Sequence, residues 1–122
     1  MANLPYSSRP LIWLGDSREA LSSFPVAVKR VLGYGLRLVQ NGETPAFAKP
    51  LRGLGAGVYE LKADISGDAY RTVYLVKLSR AIYVIDAFQK KSRQGSKTPR
   101  EIRDRLEGRI KRAREMDVGR RA

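Results

Sequence analysis

Ten side chains of this 122-residue chain are of the types that grip and cleave a phosphodiester. Arg71, Lys49, Lys62 and Lys90 offer cations, Glu60 a carboxylate and Phe88 an aromatic face. Arg52 lies on a loop before them, and Lys91, Arg93 and Lys97 on a loop after them. An arginine fork matches phosphate oxygens in pairs, a lysine adds a compact charge, and an exposed ring accepts a stacked base. Together they fit an RNA phosphate site fed by basic groups from three segments. The same mixture also fits ordinary cross-strand ion pairing on a wet sheet face.

The chain has 24 Lys and Arg, 12 Asp and Glu, no His and no Cys, for a formal charge of +12. Disulfides, Cys/His zinc sites, thiol nucleophiles and imidazole bases are therefore excluded. No cofactor or metal is expected. The charge is uneven. Residues 89–122 carry thirteen basic against five acidic side chains, a surplus of eight. Such one-sidedness favours a polyanionic partner over a merely solvated helix. No apolar run approaches the ~20 residues of a membrane span, and Met1 to Pro10 lacks the pattern of a signal peptide, so a cytoplasmic protein is expected.

The elements that position these groups can be read in order. Arg9 to Leu14 is a short strand, followed by a helix with Asp16 as cap and Glu19 as its box partner. A second helix starts after Pro25, carries Val28, Val31, Leu32, Leu36 and Val39 on one side, and stops at Asn41-Gly42. Gly33 and Gly35 weaken it unless a neighbour packs closely. After a Pro- and Gly-rich loop come three strands, near 57–63, 69–78 and 81–90, with turns at Ser66-Gly67 and Ser79-Arg80. A last helix, capped by Thr98, presents Ile102, Leu106, Ile110 and Ala113 as one narrow stripe. That stripe docks on the domain or is covered by a partner. One domain is expected, with a core over about 9–97, this basic helix over 98–116 and a frayed tail over 117–122. The fold class is α+β: β-α-α-β-β-β-α, a mainly antiparallel sheet with helices on one face.

Turn positions then set the pairing. Ser66-Gly67 sets Lys62 opposite Arg71 and Glu60 opposite Val73; Ser79-Arg80 sets Arg71 opposite Phe88, Val73 opposite Asp86 and Leu75 opposite Val84. One face collects Tyr59, Leu61, Tyr70, Thr72, Tyr74, Tyr83, Ile85 and Ala87 for the early helices. The other collects Glu60, Lys62, Arg71, Asp86, Phe88 and Lys90 at one end, with Ile82 and Val84 toward the tight hairpin.

The segments Ala48-Lys-Pro-Leu-Arg-Gly-Leu54, Gly57-Val-Tyr-Glu-Leu61, Tyr70-Arg-Thr-Val-Tyr74 and Val84-Ile-Asp-Ala-Phe-Gln-Lys-Lys-Ser92, with Lys97-Thr-Pro99, resemble a known family. They are similar in order and spacing to the phage-derived, HigB-type branch of the RelE/ParE toxin superfamily, over about Pro10 to Arg112. The resemblance implies a toxin of a type II toxin–antitoxin pair, an endoribonuclease acting on mRNA in the ribosomal A site. It implies a small helix-turn-helix, HigA-like antitoxin as partner. Arg71 matches the strand arginine of the family's Tyr-Arg-x-x-Tyr pattern, which contacts the scissile phosphate. Lys49 and Arg52 fall where relatives place basic residues before the first meander strand. Lys90 and Lys91 fall where relatives place catalytic or RNA-contacting groups.

One departure matters: some relatives use a His, or a Tyr near the C-terminal end, for proton transfer. Here there is no His, and the last Tyr is Tyr83. RNA supplies its own nucleophile in the 2′-hydroxyl. On this reading Arg71 stabilises phosphate charge, while Lys49, Lys90 or Glu60 takes the 2′ proton. The alternative is a basic adaptor that binds RNA or an acidic partner without cleaving it.

Overall fold

The computed structural model describes residues 8–76, 81–90 and 99–121. The Ser79-Arg80 turn and the Thr98 cap lie outside the described residues. The elements are β1 (Leu11–Trp13), α1 (Ser17–Ser22), α2 (Val26–Gln40), β2 (Ala48–Pro50), β3 (Val58–Ile65), β4 (Asp68–Leu75), β5 (Ile82–Lys90) and α3 (Arg100–Arg121). They form a five-stranded sheet in the order β1-β5-β4-β3-β2. Only the β1–β5 pair is parallel. The fold is therefore α+β with a mainly antiparallel sheet, as the sequence pattern implies. The short strand β2, within the Pro- and Gly-rich loop, is an addition to that pattern.

The β3–β4 hairpin turns on Ser66 and Gly67, with φ of +55° and +83°. Two consecutive left-handed residues match the right-handed twist of the flanking strands. This turn fixes Lys62 opposite Arg71 and Glu60 opposite Val73, in the register read from the sequence.

Across β4 and β5 the expected register holds only at one end. Arg71 faces Phe88 and Val73 faces Asp86, but Tyr74 faces Val84 and Leu75 faces Tyr83. Ile85 is left without an opposite residue, as in a β-bulge. The expected Leu75–Val84 pair is thus corrected, and so are the faces. The extra residue reverses the alternation before Asp86. Tyr83 and Ile85 join the core with Val58, Val73, Leu75 and Phe88, while Ile82 and Val84 join Leu61, Tyr70, Tyr74 and Ala87.

The helices do not share one face, which corrects the expected layering. α2 packs Val28, Leu32, Leu36 and Val39 against one side of the sheet. The stripe Leu106, Ile110 and Ala113 of α3 packs against the other. α2 lies close because Gly35 has no side chain: a Cβ there would stand 2.8 Å from Phe47 and 2.9 Å from Leu61. Gly33, by contrast, has nothing near it within 4 Å.

Polar anchors hold α3. Asp86, 1% exposed, accepts hydrogen bonds from Arg105 Nε at 2.7 Å, Arg109 Nη1 at 3.1 Å and the Ala87 amide at 2.8 Å. Arg109 also donates to the Ile85 carbonyl at 3.1 Å and to Asp16 at 2.6 Å. Asp16 therefore makes no side-chain cap on α1, contrary to the capping-box expectation. Its carboxyl is held below the usual range by the hydrogen bond and charge of Arg109. At the far end Tyr83 donates its hydroxyl hydrogen bond to Asp117 at 3.0 Å. The helix accordingly runs to Arg121, where a frayed tail from residue 117 was expected. Removing a buried carboxylate strands the cations it held. Asp86→Ala is expected to lower stability by about 2–3 kcal/mol, because both arginines keep some solvent. Urea unfolding should show the loss as a lower midpoint at unchanged slope; a loss below about 1 kcal/mol would remove Asp86 as the anchor.

Candidate functional site

The alternation of β3, β4 and β5 brings one set of charged side chains to the sheet face beyond the α3 stripe. Arg71 has Lys62 directly across on β3 and Phe88 directly across on β5. Glu60 and Asp64 are its two diagonal neighbours, two residues either side of Lys62, and a long side chain spans that distance. Lys49 on β2 stands opposite Glu60, and Lys90 on β5 opposite Ala69.

Arg71 and Glu60 are both buried. Arg71 Nη1 donates to Asp64 Oδ1 at 2.8 Å and to the Tyr70 carbonyl at 2.9 Å. Its Nε lies 3.7 Å from Glu60 Oε1, an ion pair too long to be a hydrogen bond. Glu60 Oε2 and Arg71 Nε have no hydrogen-bond partner among the described residues. The Asp64 carboxyl is held below its usual range, first by the hydrogen bond from Arg71.

Lys90 is buried, and burial is the main cause that lowers its pKa. Glu60 opposes that shift, while Arg71, Lys49 and Lys62 add to it. These five groups therefore lie within one another's field. Four cations and two carboxylates, with Asp64 counted, leave an anion attracted and a lysine closer than usual to its neutral form.

The other candidates are placed differently. Lys49 is exposed and Lys62 half-buried. Arg52 is exposed on the loop after β2, its carbonyl accepting from Arg103 Nη2 at 2.9 Å. Phe88, expected to stack on a base, is only 7% exposed and belongs to the core under α3, which corrects that expectation. Asp86 keeps its expected place opposite Val73 but is taken up by Arg105 and Arg109 of α3 instead of the charged cluster. Lys91, Arg93 and Lys97 lie outside the described residues. Asp64 escaped the sequence reading, which ended the strand at Ala63. The signal was present: a two-residue turn at Ser66-Gly67 extends β3 to Ile65 and sets Asp64 one step beyond Lys62 on the same face.

Tyr59 and Tyr74 do not fill the gap left by the absent histidine. Tyr59 and Tyr74 stack on the α2 side, with ring centroids 5.7 Å apart. Burial, with a smaller push from Tyr59, raises the Tyr74 hydroxyl to about 12. A small cleft lined by Arg9, Glu43, Tyr59 and Tyr74 opens on that side, away from Arg71.

No curated protein matches the sequence. Among solved structures, a mutant of the E. coli toxin RelE in the free state superposes with a TM-score of 0.51 at 20% identity, over 66% of this chain and 81% of that one. A chain of the toxin–antitoxin complex RelBE2 from Mycobacterium tuberculosis gives 0.49 at 16% identity, over 68% and 99%. The family described as phage derived protein Gp49-like (DUF891) matches residues 19–111, most of the chain, from within α1 through β5 into α3. With that match and the RelE-like arrangement of its sheet, the chain belongs to the Gp49-like family of phage-derived proteins.

Proposed function

We propose that this protein is the toxin of a type II toxin–antitoxin pair of the HigB type, and that it cleaves mRNA on the ribosome. The observation that carries the reading is the buried Arg71 guanidinium, with Lys62 directly across and Lys49 and Lys90 in the same charged cluster, on a fold similar to that of a RelE toxin. In this scheme Arg71 meets the scissile phosphate and stabilises charge that grows on its non-bridging oxygens. Lys90 in its neutral form takes the proton of the 2′-hydroxyl as that oxygen attacks phosphorus. Its lowered pKa is what favours it over the exposed Lys49. Lys49 donates the proton that the departing 5′-oxygen needs. The products are a 2′,3′-cyclic phosphate and a 5′-hydroxyl. Arg52 and Lys62 extend the phosphate contacts, and Lys91, Arg93 and Lys97 come within seven residues after Lys90. A small helix-turn-helix antitoxin of the HigA type would be the partner, and the cytoplasm the setting.

The second reading, a basic RNA- or partner-binding adaptor, is favoured by two observations: the chain has no His, and Arg71 is already paired with carboxylates. Inducible expression with mapping of RNA 5′ ends separates the two. New 5′-hydroxyl ends are expected within minutes, together with growth arrest; arrest without them would favour the adaptor.

Two outcomes test the roles. Arg71→Ala should reduce cleavage about 100-fold or more, the usual loss when a charge-stabilising donor is removed, and relieve growth arrest. Full toxicity in that variant would move the site elsewhere. The cleavage rate should rise with pH, about tenfold per unit while Lys90 is mostly protonated, and level off below 10.5 because its pKa is lowered. Lys90→Gln should slow the reaction and flatten that rise; an unchanged profile would remove Lys90 as the base.

A further inference from the structure

Arg71 is the group that must meet a phosphate in the proposed reaction, yet its guanidinium is already engaged by an anion. Asp64 Oδ1 accepts from Nη1 at 2.8 Å, a distance typical of a charge-assisted hydrogen bond. The two carboxylates beside Arg71 differ in kind. The Glu60 side chain is 3% exposed and the Arg71 side chain 8%, whereas that of Asp64 is 62% exposed. Glu60 cannot leave without breaking into the sheet. Asp64, at the turn end of the β3–β4 hairpin, can turn into solvent at the loss of one contact.

A carboxylate and a phosphodiester present the same feature to a guanidinium, oxygen acceptors that carry negative charge. We propose that Asp64 occupies the place of a phosphate oxygen at Arg71 in the RNA-free protein, so that RNA binds by exchanging one anion for another. The proposal rests on the reading of Arg71 as a phosphate site. The tight Ser66-Gly67 turn holds Asp64 one diagonal step from Arg71, because the register cannot slip without turning every β3 side chain over. The arrangement does two things. It keeps a buried guanidinium paired and oriented while no RNA is present, and it sets a threshold that an incoming phosphate must exceed.

The test is binding, not turnover. The full-length protein is titrated into a fluorescein-labelled, 2′-O-methylated single-stranded RNA at fixed salt, and anisotropy is read. Asp64→Asn should tighten binding by about fivefold, the scale of one exposed charge pair, and well beyond the gain from Asp68→Asn. Asp68 is an exposed acid of the same hairpin, so it controls for net charge alone. In an Arg71→Gln background the Asp64→Asn gain should shrink to the Asp68→Asn level, and Asp64→Ser should rank with Asp64→Asn. Equal gains at Asp64 and Asp68, or a gain that survives Arg71→Gln, would overturn the exchange and leave the phosphate site standing. If Arg71→Gln alone leaves RNA affinity as it was, the phosphate site fails and the exchange fails with it.

Discussion

The carboxylate of Asp86 is removed from water and satisfied by two arginines that both come from α3. A buried carboxylate with no such partners would be too costly to keep charged, and arginines drawn from one helix fix where that helix must lie. Much else follows from this contact. It seats the apolar stripe of α3 over Val73, Leu75 and Ile85, and it draws Asp16 into the same knot through Arg109. Glu60, Lys62, Arg71 and Lys90 share the same side of the sheet, beyond that stripe. The bulge at Ile85 adds to the contact, because it turns Ile85 to the side of β5 that Asp86 already faces.

The charge of α3 acquires a different meaning in this light. As a composition it reads as a helix built to attract polyanions. In the structure, Arg103 donates to the Arg52 carbonyl, Arg114 to the Ala56 carbonyl, and Arg105 and Arg109 hold Asp86. Four of its arginines thus secure the helix and the Gly-rich loop beside it. They remain positively charged while doing so, and structure and long-range attraction are served by the same side chains.

Much of the fold was legible because local signals agreed. The Ser66-Gly67 turn gave the β3–β4 register, and with it the neighbourhood of Arg71, Lys62 and Glu60. Asn41-Gly42 gave the end of α2, and the spacing of Leu106, Ile110 and Ala113 gave the buried side of α3. What escaped was non-local. A bulge leaves no mark when the residues around it are uniformly apolar, as Tyr83, Val84 and Ile85 are, so the faces of β5 were reversed up to Asp86. The choice of Asp16 between capping α1 and pairing with Arg109 is settled by a helix more than ninety residues away. Phe88 looked like a stacking ring because alternation says which face a residue points to, not what lies over it.

The strand order has a consequence for how the chain comes into being. β1, near the start, has β5 as its sheet neighbour, and Ser17 at the head of α1 donates to the Val84 carbonyl. About seventy residues separate each from its partner. Contacts of such long separation are slow to form, since the intervening loop must first be closed. Until β5 is in place, the Arg71 strand has a neighbour on one side only. A chain emerging from the ribosome therefore carries an incomplete charged face until residue 90 is out, and an unsecured one until Arg105 and Arg109 follow. The topology itself delays assembly of this charged face until the chain has been made through Arg109.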